Sequence, residues 1–184
     1  MKNLILIGMP GCGKSTVGVL CAKALGMPFL DTDLVLQSRS GRLLQSLVNE
    51  LGTEGFLRLE EEVILGIACE STVLATGGSV ALEDRAIAHL RRTGVSVYLR
   101  LPYAEIEHRL RNIAPRGIAM ETLWVLASGV IIIYLFDFLL RALRTHFVDV
   151  AGRNADIVLD CAGQNLEETV SAVVAAFRAH AQGR

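Results

Sequence analysis

A chain of 184 residues with a formal net charge of −1 is long enough to bury the core of one domain, and its near-neutral balance leaves no electrostatic footprint for nucleic acid. The four cysteines, Cys12, Cys21, Cys69 and Cys161, contain no C-x-x-C pair. They read as small buried residues of a reducing, cytoplasmic setting, which excludes a disulfide frame and a zinc site.

Met1-Lys2-Asn3 runs straight into the apolar run Leu4–Ile7, which predicts a first strand and no secretory leader. The next residues, Gly8-Met9-Pro10-Gly11-Cys12-Gly13-Lys14-Ser15, match the phosphate-binding pattern G-x-x-x-x-G-K-[ST] without deviation. Glycines let such a loop take backbone angles closed to other residues, so successive N–H groups turn inward around a phosphate. A helix at 15–25 adds its positive end. Gly11, Cys12, Gly13, Lys14, Ser15 and Thr16 are therefore the candidate triphosphate site. Lys14 supplies a point charge to the outer phosphates, and the Ser15 hydroxyl is placed to ligate magnesium, so ATP and Mg2+ are the expected cofactors.

Pro28–Leu30 reads as a second strand, followed by Asp31-Thr32-Asp33. Two carboxylates at i and i+2 just past a strand suit two roles. One member holds magnesium and the other accepts a proton from a substrate hydroxyl, or Asp33 simply caps the helix that begins before Leu34-Val35-Leu36. Helical patterns at 43–67, 82–92, 103–112 and 166–180 alternate with strand-like runs at Thr72–Ala75, Val95–Leu99 and Ile157–Leu159. Gly77-Gly78 marks either a close backbone approach or a tight turn. The order predicts one α/β domain over 1–184, with three layers, a central parallel sheet of about five strands and a ligand at the strands' carboxyl ends.

The phosphate loop, Asp31-Thr32-Asp33, Ser40-Gly41-Arg42, Gly55-Phe56-Leu57-Arg58-Leu59-Glu60-Glu61 and Ala75-Thr76-Gly77-Gly78 occur in the order and spacing of the shikimate kinase family. The chain resembles that family over roughly residues 1–120 and again, weakly, at 155–160. The resemblance implies a P-loop kinase fold and transfer of the γ-phosphoryl of ATP to the 3-hydroxyl of shikimate. It also implies magnesium and a cytoplasmic monomer. By position, Ser15 and Asp31 would serve magnesium, Asp33 would contact the substrate hydroxyl, and Gly77 and Gly78 would border the substrate. Arg109 would lie near the adenine and Arg116 would approach the phosphates from the lid.

The chain departs from the family pattern in several places. Leu57 stands where the family's F-R-x-x-E has its carboxylate-clamping arginine, and Arg58 comes one residue later, a rotation of about 100° on a helix. Arg58 is the remaining candidate for that clamp, against a reading as an exposed helix arginine paired with a glutamate. Ser79 replaces the third glycine of G-G-G and adds a side chain at the pocket wall, and Arg116-Gly117-Ile118-Ala119 replaces R-P-L-L, which makes the lid atypical.

Leu123–Leu140 carries one charge, Asp137, in eighteen residues. That is near the lower limit for a bilayer span, about 17 residues. Residues 121–154 locally resemble a transmembrane helix of type I secretion exporters of the ATP-binding cassette class. The expected reading is a helix buried against the sheet or foreign sequence joined into a kinase frame, with self-association through any exposed part. The expected function is a small-molecule kinase for shikimate. The alternatives are a kinase for another hydroxylated metabolite, or a catalytically impaired nucleotide-binding protein associated with membrane through 123–140.

Overall fold

The computed structural model describes residues 2–113 and 148–182. Arg116 and the apolar run Leu123–Leu140 lie outside the described residues. The strands are β1 (Asn3–Ile7), β2 (Phe29–Asp31), β3 (Val73–Ala75), β4 (Gly94–Arg100) and β5 (Ile157–Asp160). The helices are α1 (Lys14–Leu25), α2 (Thr32–Ser40), α3 (Leu44–Leu65), α4 (Asp84–Thr93) and α5 (Tyr103–Ile113), a short helical stretch at 148–154 called α6, and α7 (Leu166–Gln182).

All five strands are parallel, in the order β2-β3-β1-β4-β5. Side chains alternate across a strand, and every residue of β1 is buried, so β1 feeds two cores at once. Leu4 and Leu6 join α1, α5 and α7 through Val17, Cys21, Ile106, Val173 and Phe177. Ile5 and Ile7 join α3, α4 and α6 through Ile64, Ile87, Leu90 and Ala151. The result is the three-layer arrangement that the alternation of strands and helices predicts. A third, smaller cluster of Leu36, Leu47 and Val63 ties α2 to α3 beside the sheet.

After β1 the chain crosses to β2, returns through β3, and then passes β1 to reach β4 and β5. Strand β1 is thus the point where the winding changes direction, and loops leaving the carboxyl ends of its neighbours diverge there to leave a crevice. Residues 8–13, 31–33 and 76–79 all leave strands at that edge.

Three local features differ from the sequence expectation. Asp31, not Asp33, is the N-cap of α2: it has extended backbone angles, and its side chain accepts from the Asp33 N–H. The strand runs one residue further than expected, so the cap falls on its last residue. The helix expected at 43–67 is kinked at Gly52, whose φ of 67° with ψ of 179° no helix accommodates. The short helix α6, which packs on the sheet through Ala151, lies beyond the apolar run Leu123–Leu140, where no separate helix was expected. Among the described residues, no helix is long and apolar enough to cross a membrane.

Candidate active site

Residues 8–13 wrap around the start of α1. Gly11 and Gly13 take positive φ values of 79° and 97°, and these two positions need glycine for the loop to turn back toward the helix. No side chain caps α1, so its first amides, which lack intrahelical partners, are left for a ligand. Lys14 is 7% exposed, and its ammonium donates to the Gly8 carbonyl at 2.8 Å and the Met9 carbonyl at 3.0 Å. The loop therefore holds its cation over its own mouth.

The next residue links the loop to β2. The Ser15 hydroxyl donates to Asp31 Oδ2 at 2.6 Å, while Asp31 Oδ1 accepts from the Asp33 N–H at 2.9 Å. Asp31 is buried and both of its oxygens are engaged. Asp33, half-buried in the first turn of α2, keeps its carboxylate out of that network. Burial and the neighbouring Asp31 charge push its pKa upward, and Lys14 opposes them. Two carboxylates two residues apart at one helix start are thus placed in different environments, which is how a site separates an ion-holding group from a proton-accepting one.

The third wall comes from the end of β3. The Gly77 N–H donates to Thr32 Oγ1 at 3.0 Å, and Thr76 is tied to the Leu6 carbonyl. Gly77-Gly78 is a close approach, which settles the two readings of that dipeptide. A Cβ at Gly78 would lie 2.4 Å from Pro10 Cγ of the phosphate loop, and one at Gly77 would overlap Glu60 Oε1 and stand 3.0 Å from Asp33 Oδ1. Gly77→Ala is accordingly expected to displace Asp33 or Glu60 and to lower turnover at least about tenfold, with nucleotide affinity changed much less. Steady-state kinetics alongside nucleotide titration checks this.

Glu60, from α3, is 2% exposed and accepts a hydrogen bond from the Ser79 hydroxyl. Burial pushes its pKa up to about 7, with Asp33 and Glu83 adding to the rise and the Ser79 hydrogen bond and Lys14 opposing it. Sequence reasoning left Glu60 out of the site. The signal was present: Glu60, Val63, Ile64 and Ile67 fall at helical spacing on one face, so a glutamate occupies an otherwise apolar stripe.

On the other side of the loop, a cavity of about 450 Å³ opens between Gly13, Thr16, Arg109, Cys161, Asn165 and Thr169. Arg109 donates to the Cys12 carbonyl at 3.2 Å and so joins α5 to the loop. The start of α7, which lines this cavity, carried no motif in the sequence. Of the remaining sequence candidates, Arg58 is not brought to the others. Its side chain is 80% exposed and pairs with Glu54 at 3.7 Å. Leu57 beside it is half-buried.

The family model for shikimate kinase matches residues 10–135. This chain belongs to the shikimate kinase family. Shikimate kinase 2 of Enterobacter sp. (strain 638) is 34% identical over 186 residues, covering 96% of this chain and 96% of that one. Shikimate kinase of Paracidovorax citrulli (strain AAC00-1) is 42% identical over 113 residues, 60% of this chain and 62% of that protein. Among solved structures, shikimate kinase from Bacteroides thetaiotaomicron superposes with a TM-score of 0.76 at 25% identity, covering 96% of this chain and 98% of that one. The phosphate loop from Pro10 onward, the Asp31-Thr32-Asp33 turn and the Gly77-Gly78 wall fall inside the span matched by the family model.

Proposed function

We propose that this chain is a shikimate kinase, transferring the γ-phosphoryl of ATP to the 3-hydroxyl of shikimate to give shikimate 3-phosphate and ADP. Family membership supports the reaction. The observation that carries it in the structure is the convergence at one sheet edge of a buried lysine in a phosphate loop with a half-buried aspartate across the crevice. The cavity between Arg109 and the start of α7 takes the base and ribose of ATP, and the loop amides with Lys14 take its phosphates.

In this reading Asp33 orients the acceptor hydroxyl in line with the γ-phosphorus and receives its proton as the new O–P bond forms and the bond to the β-phosphate oxygen breaks. Its raised pKa makes it a better base than an ordinary carboxylate. Gly77 and Gly78 bring backbone, not side chain, against the acceptor. Ser15 and Asp31 fit a magnesium ion, being adjacent oxygen donors of the kind that ion takes. When bound there, magnesium neutralises charge on the phosphates. The reading includes a cytoplasmic protein acting on a free small molecule, as a monomer.

A second reading has a specific observation behind it. Leu57 and the outward-facing Arg58 leave no cation from this part of α3 to meet the substrate carboxylate, a deficit that commonly costs about 2–5 kcal/mol, or roughly 30- to several-thousand-fold in affinity. This favours a kinase for another hydroxylated metabolite. One screen decides between them: ATP consumption, with the phosphorylated product identified by mass, against shikimate and a panel of other hydroxylated acids and neutral polyols. Turnover highest with shikimate upholds the first reading. Turnover confined to a neutral polyol would replace it with the second.

A further inference from the structure

The crevice lies at the carboxyl ends of the strands, and a second cavity opens at their amino ends. Its volume is about 910 Å³, and it is lined by Lys2 just before β1, by residues 67–70 between α3 and β3, and by His89, Arg92 and Thr93 of α4. Strand β1 is five residues long, which at about 3.3 Å per residue sets this cavity about 16 Å from the start of the phosphate loop. The phosphate loop and the acceptor wall contribute nothing to its lining.

Buried groups brace its walls. Asn3 is 1% exposed, and its side-chain amide donates to the Cys69 carbonyl at 2.8 Å while its Oδ1 accepts from the Thr72 N–H at 2.9 Å. On the other side His89 Nε2 stands 3.3 Å from the Ile67 carbonyl. The loop between α3 and β3 is thereby pinned to β1 and to α4, so the hollow is already formed without a ligand.

The charge of the lining is the second observation. On α4, Arg85 pairs with Glu61 and Arg91 with Asp156. Arg92 follows directly, and among the described residues its side chain makes no ion pair or hydrogen bond, nor does that of Lys2. Glu70 is the one carboxylate of the lining. Two uncommitted cations on one preformed hollow, in a chain of net charge −1, favour an anion there. Ile67 and the exposed Ala68 add apolar surface to the same hollow.

We propose that this cavity is a second binding site, for a small organic anion: a carboxylate or phosphate ester whose charge meets Lys2 and Arg92 and whose apolar body rests on Ile67 and Ala68. A guanidinium offers two parallel donors to either kind of oxyanion, and the ammonium adds a point charge. The site is independent of the phosphoryl-transfer reading, because none of its residues belongs to that machinery.

Cys69 supplies a local reporter. Of the four cysteines it is the one that is not buried, and it lines the cavity. Its alkylation by iodoacetamide, a neutral reagent, is followed on the full chain by peptide mass spectrometry. Phenyl phosphate, phthalate, inorganic phosphate or benzyl alcohol is added up to concentrations on the order of 10 mM, the range suited to ligands this small. Uptake by the phosphate loop does not register at this thiol. Phenyl phosphate or phthalate is expected to slow alkylation saturably, by at least about threefold, and the stronger of the two shows which oxyanion the site prefers. Substituting both Lys2→Ala and Arg92→Ala should weaken that protection at least about fivefold, the scale of two exposed charge contacts. Protection that is equal in the doubly substituted chain, or matched by benzyl alcohol or by inorganic phosphate, overturns the proposal. So does alkylation that no addition slows. Should Cys69 not react at all, the ring-proton resonances of His89 decide under the same additions: saturable shifts that weaken in the doubly substituted chain support the site, and unmoved resonances refute it.

Discussion

Alanine at position 14 is expected to abolish phosphoryl transfer, lowering kcat/KM for ATP by at least about a thousandfold, the scale on which electrostatic stabilisers of a transition state act. The Lys14 ammonium is buried and donates to two carbonyls of its own loop at 2.8 and 3.0 Å. It is therefore already oriented before any phosphate arrives. When triphosphate enters, that charge exchanges loop carbonyls for phosphate oxygens, which are better acceptors, and no side chain need be ordered anew. Arg109 does not substitute for it, because its guanidinium is engaged with the Cys12 carbonyl on the far side of the loop. The fold should survive with a loss of about 1–3 kcal/mol, because the Gly8 carbonyl loses the Lys14 ammonium while the Met9 carbonyl keeps the Cys12 N–H at 3.2 Å. Kinetics and thermal unfolding of Lys14→Ala check both parts. Retention of near wild-type turnover would overthrow the phosphate-loop assignment.

Much of this site was legible in the sequence because its parts are local. A phosphate loop is eight consecutive residues, and its strand, glycines and helix follow from neighbouring positions. Asp31 and Asp33 lie two residues apart at a strand end, and apolar β1 announces a strand covered on both faces. The parts that were not legible depend on contacts between distant segments. Glu60 and Ser79 are 19 residues apart on a helix and on the turn after β3, so nothing short of the fold brings them together. The rotation of α3 likewise decides which of Leu57 and Arg58 faces the crevice, and a kink at Gly52 upstream sets that rotation apart from an ideal wheel. The cap of α2 was misplaced for a subtler reason. Either aspartate suits the chemistry of an N-cap, and the choice falls to Asp31 because β2 extends to it and fixes it in the extended conformation a cap requires.

That placement makes Asp33→Asn an unusually clean substitution. The cap of α2 uses the side chain of Asp31 and only the backbone N–H of residue 33, at 2.9 Å, so an amide at position 33 leaves the helix start intact. The Ser15–Asp31 contact at 2.6 Å is likewise untouched. What is lost is a negative charge and a basic oxygen next to Gly77, where the acceptor hydroxyl must give up its proton. Turnover is expected to fall by about 10²- to 10⁴-fold, the range general-base catalysis contributes, while ATP affinity stays within a few-fold. The pH profile carries the same information with a definite sign. Burial and the Asp31 charge push the Asp33 pKa upward from its usual value, with Lys14 opposing them, so kcat in the native enzyme should climb as pH rises through that raised pKa. In Asp33→Asn no carboxyl remains at this position to titrate, and the climb should vanish. Single-turnover measurements at saturating ATP would separate the chemical step from product release. If the substitution weakened ATP binding and left the chemical step alone, Asp33 would belong to the nucleotide side of the crevice and the acceptor would need another base.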